Sequence, residues 1–176
     1  MRHAIGLLLL LLAFDDAPRI RVDQLEHRVF DLINVQRREA KLPALGWDER
    51  LMRVARGQSD DMVKRRFFDH VNPDGDDPTA RGRHAGYNCR KVMGGGSFRE
   101  GLAENLADEP RFSRVRISSG RRTYDWNTAN AIAREAVEGW MRSPGHRRNI
   151  LDRNYDRSAV GIAVSAEHVY LTQLFC

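Results

Sequence analysis

The sequence predicts an α+β fold, with helices packed over an antiparallel sheet. Three features carry that expectation. Apolar residues recur at helical spacing in three stretches of the chain. The chain closes on two β-rich runs joined by a short polar turn. Helical and strand patterns also fail to alternate regularly, as a doubly wound parallel sheet would require. A length of 176 residues suits one ordinary domain.

The elements follow in order. From Val22 to about Arg38, Leu25, Val29, Leu32 and Ile33 mark one helix face, with Asp23 as candidate N-cap. Lys41-Leu42-Pro43 ends it. Asp48 is placed to cap a second helix, whose buried stripe is Leu51, Val54, Ala55, Met62 and Val63. Residues 72–78 read as a turn cluster, Arg81 to Gly86 as a short helix, and Gly94-Gly95-Gly96-Ser97 as a flexible loop. Gly101 to Ala107 shows no clear period, and Val115-Arg116-Ile117 alternates weakly. A third helix spans Thr128 to Met141, with Ile132, Ala136, Val137 and Trp140 on one face. It stops at Ser143-Pro144-Gly145. Ala159 to Val164 and His168 to Phe175 form a terminal hairpin.

The N-terminus reads as a secretory signal over residues 1–17, leaving one domain over 18–176. Arg2 precedes an 11-residue apolar run, Ala4–Phe14, which is the length of a signal core and too short to span a bilayer. An exported chain with two cysteines can pair them without leaving an odd thiol. Linking Cys89 to Cys176 would remove roughly 4–5 kcal/mol of unfolded-state entropy. It would also tie down the chain end. The competing reading, a reactive thiol, finds no CxxC and no local catalytic signature.

Composition narrows the function. Hydrophobic residues make up 41% and charged residues 30%, a globular mixture. The net charge is +5, and Lys41, Lys64 and Lys91 are the only lysines among 29 basic residues. Acidic residues interleave with the arginines and few aromatics lie within the basic runs, which argues against nucleic acid. No GxSxG, no phosphate-binding loop and no HExxH are present. Of six histidines, His70 and His146 stand out. Each follows a helix, where a loop can aim a polar side chain into a shared cleft. Glu104 lies among small and apolar residues, so its carboxylate must be paired or aimed at something. Two imidazoles and a carboxylate suit zinc with a water in the fourth position, or an acid/base pair with an orienting carboxylate. Glu135 and Glu138 read as a solvated helix face.

Four ordered segments resemble the CAP superfamily of cysteine-rich secretory, antigen-5 and pathogenesis-related proteins. They are Phe68-Asp69-His70, Ala103-Glu104-Asn105-Leu106-Ala107, Trp140 to Leu151 around Ser143-Pro144-Gly145-His146, and Val160-Gly161-Ile162-Ala163 with Tyr170-Leu171-Thr172-Gln173. The SPGHR-type ending is similar to the prokaryotic branch. The resemblance implies a three-layer α-β-α sandwich with a central antiparallel sheet and a large cleft. By position, His70 and His146 match the family's two histidines and Glu104 one of its two glutamates. Ser143 stands where the other glutamate falls, which leaves Glu138 as a candidate stand-in. Asn105 and Ser143 are then expected to line the cleft.

Three functions follow as expectations. The first is a secreted monomeric binding module holding a divalent cation such as zinc through His70, Glu104 and His146, with a small or lipid-like ligand alongside. The second is a hydrolase of peptides or cell-wall material using His70, Glu104 and His146. The third is attachment to an anionic cell envelope through the arginine runs at 111–122 and 147–157. None needs nucleic acid or a membrane span in the mature chain.

Overall fold

The computed structural model describes residues 17–176. The apolar run of the expected signal lies outside the described residues. Helix α1 spans Val22–Glu39 and buries Leu25, Val29, Phe30 and Ile33. Its N-cap is Arg21, not Asp23, which sits in the first turn. A carboxylate there meets the positive end of the helix instead of capping it. Strand β1 is only Gly46–Trp47. Helix α2, Glu49–Arg65, is capped as expected: Asp48 Oδ1 accepts from the amides of Arg50 and Leu51 at 2.9 and 3.1 Å. It ends at Arg66, in the left-handed conformation at φ 58°.

A short helix α3, Pro78–His84, starts three residues earlier than the sequence suggests. Asp77 caps it, accepting from the Ala80 amide at 2.7 Å. Strands β2, Arg90–Val92, and β3, Phe98–Glu100, pair around the glycine stretch. Strand β4 spans Ala103–Pro110, and β5, Phe112–Ser118, pairs with β6, Arg121–Trp126. Helix α4 is Ala129–Arg142, with Thr128 accepting from the Ala131 amide at 3.1 Å. The chain then makes helix α5, Pro144–Ile150, and strands β7, Arg157–Val164, and β8, His168–Phe175.

The central sheet has the order β1-β7-β8-β4. Its long strands are antiparallel, while β1 adds two parallel residues against Arg157 and Ser158. Alternation along the strands sorts side chains to two faces. Val160 and Ile162 of β7, with Val169, Leu171 and Phe175 of β8, meet α1 and α4. Ala159 and Leu174 meet Leu51, Val54 and Ala55 of α2 on the other side. These are the three layers of an α-β-α sandwich.

Two contacts fix the spacing of the layers. A Cβ on Gly161 would lie 2.0 Å from the Arg56 amide nitrogen, so α2 rests directly on the sheet backbone there. Ser59 Oγ bonds the Gly161 carbonyl at 2.9 Å and Thr172 Oγ1 at 2.8 Å. Cys89 and Cys176 form a disulfide, tying the last residue to the segment before β2. Arg37, 1% exposed, donates to the carbonyls of Pro43, Ile150, Asp152 and Tyr155. It joins α1 to the turns around α5.

Candidate functional site

Strand β4 is an edge of the sheet, and its first residues carry the site. Alternation sends Glu104 and Asn105 to opposite faces. The Glu104 side chain is 1% exposed. A carboxylate buried that deeply must be satisfied by donors. Two donors supply this. His70 Nδ1 lies 2.8 Å from Oε1, and Arg81 Nη2 bonds Oε2.

His70 reaches Glu104 because its loop is pinned at several points. The left-handed Arg66 turns the chain off α2. Gln58 Nε2 then donates to the Asp69 carbonyl at 2.9 Å. Arg81, on α3, donates from Nη1 to the carbonyls of His70 at 2.7 Å and Asp76 at 3.0 Å. One guanidinium therefore holds both the carboxylate and the backbone of the histidine that binds it. Asn72 shapes the rest of the loop by accepting from the amides of Asp74 and Asp76.

Because an ionised carboxylate only accepts, His70 donates through Nδ1–H, and Nε2 remains as its second nitrogen. The Glu104 hydrogen bond is the main cause that raises the His70 pKa above the ordinary histidine value; burial opposes it. The His70 side chain remains 51% exposed. It bridges a buried ion pair and the surface.

The other face of β4 positions His146. Asn105 is fully buried and donates from Nδ2 to the His146 carbonyl at 3.2 Å and to Gln173 Oε1 at 3.2 Å. Asn149 Nδ2 bonds Asn105 Oδ1 at 2.9 Å and the Glu104 carbonyl at 3.2 Å. These amides lash α5 to the start of β4. His146 sits in the first turn of α5, not in the loop its Pro-Gly prefix suggests. Burial first, and the charge of His70 second, lower its pKa, which favours the neutral imidazole.

The structure thus brings His70 and Glu104 into contact, and the charge of His70 is the second cause that lowers the His146 pKa. Ser143 joins α4 to α5 and makes no capping hydrogen bond through its side chain. Glu138 is solvated and pairs with Arg142 at 3.6 Å. Among the described residues, no three His, Cys, Asp or Glu side chains form a group able to hold a metal. Arg81 is the site residue that sequence reasoning missed. The available signal was the need of a buried Glu104 for a partner.

Comparison with known proteins bears on the family and the fold. The family described as Cysteine-rich secretory protein family (CAP) matches residues 30–175. The uncharacterized protein YkwD of Bacillus subtilis is 31% identical over 144 residues, covering 82% of this chain and 44% of that protein. The uncharacterized membrane protein YlbC of the same organism is 29% identical over 153 residues, covering 85% and 34%. The chain therefore spans less than half the length of either relative. Among solved structures, an extracellular SCP-domain protein of Bacillus anthracis superposes with a TM-score of 0.63 at 23% identity, covering 90% of this chain and 44% of that one. An outer surface protein of Borrelia burgdorferi gives 0.60 at 18% identity, covering 90% and 96%. A structure of NaASP2 with Zn2+ gives 0.50 at 12%, covering 92% and 82%.

Proposed function

We propose that this chain, which belongs to the CAP family of cysteine-rich secretory proteins, is an exported binding module. Its site takes a divalent cation on the imidazoles of His70 and His146. One observation carries the reading: both Glu104 oxygens are engaged, one by His70 Nδ1 and the other by Arg81. That arrangement fixes the tautomer and orientation of His70 and leaves Nε2 as its ligating atom. Carboxylate–histidine pairs orient metal ligands in this manner. Glu104 then acts as the residue that holds the ligand, in place of the direct ligand its sequence position suggests.

The donor chemistry fits a cation of the zinc class. Two imidazoles suit Zn2+, with His70 giving up its proton as the metal binds, and water completes the coordination. The lowered pKa of His146 favours its ligating, neutral form. The NaASP2 structure with Zn2+ supports the choice of metal by likeness of fold. Binding is favoured over hydrolysis because Glu104, closed by Arg81 and His70, has no free oxygen to serve as general base. Export is supported by the apolar N-terminal run, by the disulfide, and by the extracellular and outer-surface relatives.

Zinc titration by calorimetry tests the proposal. His70→Ala and His146→Ala should each abolish the binding seen in the native chain. Glu104→Gln should weaken it by about 10–100-fold, the usual effect of removing a residue that orients a ligand. Equal affinity in all four proteins would overturn the reading.

A further inference from the structure

The hairpin β5–β6 stands apart from the three layers. Among the described residues, its strands pair with each other and with no other strand. It leaves the fold at the far end of β4 from Glu104, six residues or roughly 20 Å along the strand. Its base is fixed. Arg111 donates its amide to the Glu167 carbonyl at 2.8 Å and its guanidinium to the Ser165 carbonyl at 3.1 Å. Asn127 closes the other side through the carbonyls of Arg111 and Pro110.

The hairpin has two unlike faces. On one, Phe112, Tyr124 and Trp126 pack together with ring centroids 5.0–5.7 Å apart, and Val115 stands opposite Tyr124. Ile117 continues this face toward the tip, opposite Arg122. Ile117 is 69% exposed and Val115 40%. The other face carries Arg114, Arg116 and Arg121. Arg116 pairs with Asp125 at 2.7 Å. Arg114, Arg121 and Arg122 are exposed and have no acidic partner among the described residues.

The N-terminal end of the described chain lies at the base of this surface. Arg111 lies 5.1 Å over the Trp126 ring and donates to the Pro18 carbonyl at 3.3 Å, so the chain enters the fold at the base of the hairpin. The apolar run Ala4–Phe14 ends four residues before Pro18, at most about 14 Å of chain away. Removal of the expected signal over residues 1–17 would leave a new positive α-amino group there.

We propose that the β5–β6 hairpin docks on an anionic lipid surface, independently of the cation site. The hairpin enters tip first, so that Arg114 and Arg121 from one face and Arg122 from the other meet the headgroups, while Ile117 and then Val115 enter the interface ahead of the aromatic cluster. Tyrosine and tryptophan favour that depth, and each arginine near an anionic leaflet adds to the attraction. A soluble polyanion would satisfy the arginines and leave Ile117 without a role.

Vesicle co-sedimentation of the full chain tests the proposal. Vesicles of equimolar phosphatidylglycerol and phosphatidylcholine should retain the protein at least about tenfold better than phosphatidylcholine alone. Arg114→Gln/Arg121→Gln/Arg122→Gln should erase that preference. Val115→Ser/Ile117→Ser should lose the part of binding that survives high salt. Both variants should keep the native melting temperature, because the altered side chains are exposed. Quenching of tryptophan emission by brominated lipid should vanish in Trp126→Phe. Vesicle binding untouched by the arginine substitutions would overturn the proposal. So would polyphosphate binding as tight as vesicle binding together with full retention of the Val115→Ser/Ile117→Ser protein.

Discussion

Glu26 and Glu104 are both buried glutamates paired with an arginine, and they brace opposite sides of the same sheet. On β7, past the two residues that β1 covers, Glu26 Oε1 accepts from Arg56 Nε at 2.9 Å and from the Ile162 amide at 3.1 Å, and Oε2 also meets Arg56. All of these partners are structural, joining α1, α2 and β7. At the β4 edge, Glu104 holds Arg81 and a histidine that is half exposed. The carboxylate chemistry is the same in both places, and the third partner differs. A backbone amide closes the first cluster, while a half-exposed imidazole with a second ring nitrogen completes the other. Glu109, further along β4, shows what happens without such partners. Burial, then repulsion from Glu135 and Asp108, pushes its carboxyl up to about 6.

Glu26→Ala should have the largest effect on stability. It strands a partly buried guanidinium and an edge amide, which costs about 3–5 kcal/mol. Urea unfolding measures the loss. Zinc affinity of the folded fraction should not change, because Glu26 touches nothing at the β4 edge. A change in affinity would break the distinction between the two clusters.

Much of the scaffold was legible in the chain. The stripes of α1, α2 and α4 and the β7–β8 hairpin show because each buries one face, or a whole strand, of apolar residues. Strand β4 did not show, because Glu104 and Asn105 interrupt its apolar pattern at the two positions where the site is built. Helix α5 was hidden for a related reason. Pro144-Gly145 reads as a stop, yet proline at the first turn also starts helices. Arg37 and Arg81 were invisible as buried residues, since arginine is ordinarily a surface residue and only its partners reveal otherwise. His70, Glu104 and His146 could be picked out from their sequence surroundings. The role of Glu104 as orienting partner could not, because that depends on Arg81.

Glu104→Gln sharpens the comparison with a smaller effect. The amide keeps the side-chain shape but loses the charge facing Arg81, at a cost of about 1–3 kcal/mol. It should also lower the His70 pKa, because the Glu104 hydrogen bond is the main cause that raises it. A group whose folded pKa is raised stabilises the fold most below its unfolded pKa. That contribution fades as pH rises through the folded value. The stability gap between native and Glu104→Gln proteins should therefore be wider near pH 6 than near pH 8. A gap independent of pH, or an unmoved His70 titration by NMR, would show that Glu104 is only a structural brace like Glu26.

His70→Ala should cost least in stability, about 1 kcal/mol or below, since half of the side chain already faces water and Arg81 still holds Glu104. Its diagnostic effect is on His146. Two causes lower the His146 pKa: burial, which remains in the variant, and the charge of His70, which is removed. The His146 titration should therefore move up, yet stay below the ordinary histidine value, because the larger cause is intact. A full return to the ordinary value would mean that α5 had come away from β4 and let water in. The Asn105 and Asn149 amides that hold the His146 backbone would then depend on the His70 loop. No movement at all would place the two imidazoles too far apart to share a cation. A partial rise is the outcome that the shared edge of β4 requires.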